Sequence, residues 1–147
     1  MDMMAGLQAS FSGLHAQRLR MNVIAANLAN AYTTRTPEGG PYQPQHVIFA
    51  AQPRLSPFAQ LLERQQIEHG TSPVSVVDIV RDPQGMRLEY DPHHPDANDA
   101  GYVAYPDINV IQEMVDLIAA TRSYEANVTA INAAKDMAGR ALQIGRV

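Results

Sequence analysis

The sequence predicts an α+β protein, with two long terminal helices enclosing a small antiparallel β region. Three observations carry this. Apolar residues recur at alternating steps of three and four at both ends, the spacing that keeps a seam on one side of a helix. The middle holds short β-branched or alternating runs of strand length. All ten prolines fall between residues 37 and 106, so neither end is interrupted.

Residues 1–30 form the first unit, an N-terminal assembly helix from about Met3 to Leu28. Its seam reads Met4, Leu7, Phe11, Leu14, Arg18, Met21, Ala25, Leu28. Gly6 and Gly13 each cost a helix interior about 1 kcal/mol relative to alanine, and mark either a close helix approach or a weak helix. Asn27 and Asn30 stand at the exit, where asparagine tolerates the left-handed conformation that ends helices.

Residues 31–106 form a small β-rich middle domain. Thr33 to Pro41 is extended loop, with Gly39-Gly40 as a turn. Strands are expected over His46–Ala50, Val74–Val80, Met86–Tyr90 and Tyr102–Tyr105. Asp82-Pro83-Gln84-Gly85 reads as a turn that folds the second of these back on the third as an antiparallel hairpin. Residues 51–73 read as an irregular or mobile insertion, in which Phe58–Glu68 has room for a helical turn or two between prolines 53, 57 and 73.

Residues 107–147 form the C-terminal assembly helix. Asn109 suits its N-cap, with Gln112 placed for a capping box. Its seam reads Met114, Leu117, Thr121, Tyr124, Val128, Ile131, Lys135, Ala138, Leu142. A rod of about 55 Å, at ~1.5 Å per residue, is out of scale with a compact domain of this size and implies partners along the shaft.

Composition narrows the function. The net charge of -4 lacks the basic stripe that nucleic acid requires. Without cysteine there is no disulfide and no thiolate chemistry. Met1-Asp2-Met3-Met4 lacks a basic n-region and no long apolar core follows, so a cleaved secretory signal is not expected. No run reaches the ~18 apolar residues of a membrane span. No nucleophile elbow, phosphate loop or dinucleotide glycine pattern is present, and no cofactor is expected. The metal-like cluster is Asp91-Pro92-His93-His94-Pro95-Asp96-Ala97-Asn98-Asp99. Its aspartates and histidines are ligand types for zinc or iron. They equally make a proline-stiffened turn, in which adjacent histidines diverge. Two function classes follow: a self-assembling structural subunit that uses both helices, or a small metal-binding or enzymatic module built on the Asp91–Asp99 loop with the helices for dimerisation.

Several stretches in order decide between them by resemblance. Arg20-Met21-Asn22-Val23-Ile24-Ala25-Ala26-Asn27-Leu28-Ala29-Asn30 resembles the N-terminal signature of flagellar rod, hook and hook-associated axial proteins. Thr34 to Tyr42, Tyr90-Asp91-Pro92, His94-Pro95-Asp96-Ala97 and Gly101 to Pro106 resemble the proximal-rod members of that family. So do Glu113 to Asp116, Ser123 to Asn127 and Asn132 to Lys135. Residues 51–73 show no family pattern, and Tyr32 stands where a smaller or polar residue is commoner.

The resemblance implies a structural, non-enzymatic subunit of the basal-body proximal rod, the periplasmic shaft that carries motor torque. It implies a coiled-coil-like bundle of terminal helices formed with neighbouring subunits, with the β domain outside. The partners implied are the chain itself, other rod subunits, basal-body adaptor and ring proteins, and the flagellar type III export apparatus. The assembly interface is then expected at Leu7, Phe11, Leu14, Met21, Asn27, Leu28 and Asn30, and at Met114, Leu117, Tyr124, Asn127, Val128, Ile131 and Leu142.

Overall fold

A computed structural model describes residues 3–51 and 72–144 of the chain. Six elements follow in order: α1 (Met3–Ala29), β1 (Gln45–Ala51), β2 (Val74–Arg81), β3 (Met86–Tyr90), β4 (Tyr102–Pro106) and α2 (Val110–Ile144). The expected α+β arrangement is present. The helical turn proposed for Phe58–Glu68, and most of the 51–73 insertion, lie outside the described residues; Ala51 itself ends β1.

The two helices lie antiparallel within one chain. Asn27 meets Glu113, Met21 meets Thr121 and Gly13 meets Asn127, so one number falls as the other rises. The contact is close at one point: a Cβ on Gly13 would sit 3.1 Å from the Asn127 amide nitrogen. Ala5, Ala16 and Ala120 are buried. Gly13 thus marks a close approach, whereas Gly6 has open space around it. At ~1.5 Å per residue, the 35 residues of α2 span about 52 Å and the 27 of α1 about 40 Å, so α2 overhangs.

The asparagines end α1 differently from expectation. No non-glycine residue among those described has a positive φ, so neither Asn27 nor Asn30 adopts the left-handed conformation. The Asn30 side-chain amide instead donates to the Ala26 carbonyl (2.9 Å), and its oxygen accepts from the Thr33 hydroxyl (3.2 Å). The Ala26 carbonyl already accepts from the Asn30 backbone amide (3.1 Å), so the side chain adds a second bond that closes the last turn. At the start of α2, Asn109 is the N-cap, its Oδ1 accepting from the amides of Ile111 and Gln112. The Gln112 side chain reaches forward to Asp116 (3.4 Å).

The four strands form two separate two-stranded antiparallel sheets, β1 with β2 and β3 with β4. This corrects the expected hairpin across Asp82-Pro83-Gln84-Gly85. The turn itself forms, with the Gly85 amide on the Asp82 carbonyl (3.3 Å) and Asp82 Oδ1 accepting from Gln84 (2.9 Å). Pro83 and Gln84 both have negative φ, so the turn is of the unprimed kind. Unprimed two-residue turns splay the flanking strands, whereas primed ones match their twist. The chain leaves toward β4, and the Asp107 amide returns to the Gly85 carbonyl (2.8 Å).

The β1–β2 hairpin lies along α1. Its open end is tied at Asn27, and its far end where the Val74 amide donates to the Ser12 hydroxyl (3.0 Å). Fifteen helical residues rise about 22 Å, and seven strand residues about 23 Å, so the two lengths match. Val47 and Phe49 alternate toward the helix side, while His46 and Ile48 face solvent. A register shift between Ile48 and Phe49 leaves Val77 as the extra residue on β2. In the second sheet Val103 is fully buried, and Tyr90 and Tyr102 stack edge-on across the strands at 5.2 Å. Gly101 turns the chain into β4 at φ +80, where a Cβ would lie 2.9 Å from the Tyr90 ring.

Candidate functional site: the helix pair and its junction

The Asn27 side chain, 1% exposed, joins four parts of the molecule. Its amide nitrogen donates to the Gln45 carbonyl (2.9 Å) and to Glu113 Oε1 (3.3 Å). Its oxygen accepts from the Gln45 backbone amide (3.0 Å) and from the Tyr42 hydroxyl (3.1 Å). Two donors and two acceptor sites are the full capacity of a carboxamide, so the group is buried without loss. Burial pushes the Tyr42 phenol above its ordinary value; Arg81 opposes this and Glu113 adds to it. Close by, Arg20 and Asp116 face each other across the helices at 3.6 Å.

Asn27 therefore serves the inside of one chain. Its side chain is saturated and enclosed by its own fold. Asn30 is likewise engaged in closing its own helix. Asn127 faces Gly13 of the same chain.

The remaining expected interface residues divide by position. Leu7, Leu14, Met21 and Leu28 on α1, and Leu117, Tyr124, Val128 and Ile131 on α2, are partly covered. Phe11, Met114 and Leu142 stand out at 58%, 50% and 73% exposure. The drawn seams run along the partly covered side of both helices, where the Thr121 hydroxyl meets the Met21 sulfur at 3.5 Å, with Phe11, Met114 and Leu142 standing open beside them. On α1 the contact also takes in Gly13, Arg20 and Asn27, which meet Asn127, Asp116 and Glu113 of α2. Arg18 and Lys135, which interrupt the drawn seams, are exposed, and Thr121 back-bonds to the Leu117 carbonyl (2.8 Å).

Sequence reasoning named Met114 but missed the rest of an apolar stripe on the outer side of α2. Ile111, Met114, Val115 and Ile118 are all at least half exposed, at steps that put them on one face. At the far end of the pair Met4, Met137, Leu142 and Ile144 are exposed as well. The 3.6-residue spacing of the α2 stripe was legible in the sequence, but it competes with the adjacent seam and only the fold shows which side is covered.

The Asp91–Asp99 loop spends its polar groups on its own shape. Asp91 Oδ1 accepts from the His93 amide, His94 Nδ1 from the Asp96 amide, and Asn98 Oδ1 from both Ala100 and Tyr102. Asp96 receives the Thr34 hydroxyl (2.8 Å), which pins the loop to the segment after α1. Among the described residues no three His, Asp or Glu side chains converge as a metal-binding group. Among the described residues no helix is long and apolar enough to cross a membrane.

Comparison with known proteins accords with this architecture. Residues 7–35 match the family model described as flagella basal body rod protein, and residues 99–144 match the C-terminal model of flagellar basal body rod FlgEFG proteins. These matches cover α1 and its exit, and β4 with α2. The chain is 43% identical to the flagellar basal-body rod protein FlgC of Borreliella burgdorferi, over 98% of each chain. It is 44% identical to that of Bacillus subtilis, over 95% of this chain and 96% of the relative. With that of Aquifex aeolicus the identity is 38%, over 97% of both. Near-full coverage at this identity assigns fold and role together: the chain belongs to the FlgC family of flagellar basal-body rod proteins and is a structural subunit of the rod.

Proposed function

We propose that the subunit joins the rod through the apolar side chains its own fold leaves uncovered on the two helices. The observation that carries this is the set of large apolar side chains left exposed on the two helices, Phe11 on α1 and Ile111, Met114, Val115 and Ile118 on α2. Burying a large apolar side chain contributes about 1.5–3 kcal/mol, so an isolated subunit leaves much stabilisation unrealised. Contiguous exposed apolar surface rimmed by polar groups is the usual mark of a protein interface. A rod is a helical, head-to-tail assembly, which requires two different faces that fit each other. The α1 face around Phe11 and the α2 stripe from Ile111 to Ile118 supply two such faces.

The partners are further copies of the chain and other rod subunits, with basal-body adaptor and ring proteins at the ends of the rod. The site is the periplasmic part of the basal body, reached through the flagellar type III export apparatus. The subunit acts as structural material, not as an enzyme. It transmits torque by staying rigid.

Phe11→Asp and Ile118→Asp test the surface. Each places a carboxylate where a dry contact is proposed, at a cost of several kcal/mol to assembly. Neither touches the interior of the free chain. The purified variants are expected to melt as the parent does, while cells that carry them build no rod and do not swim. Normal swimming by both would remove these faces from the interface.

A further inference from the structure

We propose that the Asn27 side chain is the coupling element that holds the helix pair and the β1–β2 hairpin at one fixed angle, by standing in for a missing strand at the edge of β1. The inference concerns the inside of the subunit and is independent of which outer faces make the subunit contacts.

The geometry is that of a strand neighbour. Among the described residues, strand β1 is paired with β2 on one edge only. On its other edge, Gln45 directs both its amide and its carbonyl at one side chain, and Asn27 answers with an acceptor at 3.0 Å and a donor at 2.9 Å. A residue of an antiparallel strand exchanges the same two bonds with its opposite number. Asparagine carries its own copy of the peptide group on a short stem, and here it reproduces the ladder from a helix. The second donor reaches Glu113 on α2 and the second acceptor site holds Tyr42, so one planar group is fixed from α1, α2, the connecting loop and β1 together.

Among the described residues, Ser12 holds the opposite end of the hairpin by a single hydroxyl. A single bond is a pivot. The paired bonds at Gln45 resist rotation about each other, and it is there that the angle is set. The stretch Asn22 to Asn30 thus carries one asparagine for coupling, Asn27, and one for closing the helix, Asn30, while Asn22 is exposed.

The test uses the full chain, whose lack of cysteine leaves introduced thiols as the sole labelling sites. Spin labels at Asn22→Cys and Val77→Cys report the helix-to-hairpin distance. Labels at Asn22→Cys and Asn132→Cys report the helix pair alone. All three positions are exposed. With Asn27 intact, both pairs should give one narrow distance distribution. Asn27→Ala should broaden or shift the helix-to-hairpin distribution and leave the helix-pair one narrow. Asn27→Asp should behave like Asn27→Ala, because the carboxylate cannot donate to Gln45 and repels Glu113. Adding Glu113→Gln should recover part of the narrow distribution by removing that repulsion and supplying a donor. An unchanged helix-to-hairpin distribution in Asn27→Ala would overturn the proposal. So would equal broadening of both pairs, which would make Asn27 a residue of general stability with no specific coupling role.

Discussion

The two ends of the helix pair are built on opposite principles. At the junction end, Val23, Ile24 and Ala31 are buried, Asn27 is saturated, and Arg20 faces Asp116. At the free end the buried residue of α1 is an alanine, Ala5, while Met4, Phe11, Met137, Leu142 and Ile144 lie open. The same antiparallel pair thus ends in a finished interior on one side and an unfinished one on the other. Finished interiors serve the chain; unfinished ones need neighbours. Local stability follows buried apolar contact, so the free end should open first.

Breaking the junction should have the largest effect on the isolated subunit. Asn27→Leu keeps the bulk but strands the Gln45 amide and carbonyl and the Tyr42 hydroxyl. Unsatisfied buried polar groups cost about 1–3 kcal/mol each, so a loss of about 3 kcal/mol or more is expected in urea unfolding. A loss below about 1 kcal/mol would mean water replaces the amide at little cost.

The second sheet offers the next largest effect, away from the helices. Gly101→Ala meets both the left-handed backbone at φ +80 and the Tyr90 ring at 2.9 Å. Strain of this kind costs about 1–3 kcal/mol. The expected result is a lower melting temperature with an unchanged helical signal. Parent-like melting would show that the turn relaxes freely.

The two glycines of α1 sharpen the contrast between covered and open faces. Gly6→Ala enters open space and should gain about 0.5–1 kcal/mol from helix propensity alone. Gly13→Val has the Asn127 side chain in its way and should lose stability. If the two changes had the same sign, the close approach at Gly13 would not be the tight contact described.

The smallest effect is a pH dependence at the junction. Burial raises the folded-state Tyr42 phenol above its unfolded value of 10.0. The folded state then holds its proton more tightly, so this contribution is complete below 10.0 and is lost as pH rises through the higher folded value. Tyr42→Phe should unfold more easily at neutral pH, for want of the bond to Asn27, yet lose less stability than the parent on passing above 10.0. Parallel losses in the two proteins would remove Tyr42 from the alkaline transition.

Much of the fold was legible in the residues. The strands appear where β-branched runs such as Val74 to Val80 and alternation such as Met86-Arg87-Leu88-Glu89-Tyr90 place them, because those patterns report local geometry. Strand pairing was not legible, since it depended on the handedness of a four-residue turn against the pull of β4. The helix contact was drawn through Leu7, Leu14, Met21 and Leu28, because large apolar residues dominate any count of hydrophobic spacing. That side is partly covered and meets α2 at Met21 and Thr121, whereas the close approach at Gly13, whose signal is the absence of a side chain, reads in the sequence equally as a weak helix. Asn27 was visible as an asparagine near a seam, but its partner is the backbone of Gln45, 18 residues on, in a contact that no spacing rule encodes.

Amide hydrogen exchange of the free chain and of the chain within isolated basal bodies compares the two ends of the helix pair most directly. In the free chain, amides near Met4–Ser12 and Ile131–Ile144 should exchange much faster than those near Ile24 and Glu113. On assembly the first group should slow sharply and the second hardly change. Free-end amides already as protected as the junction in a monomer, or equal gains at both ends on assembly, would contradict a pair with one end built for the chain and the other for its neighbours.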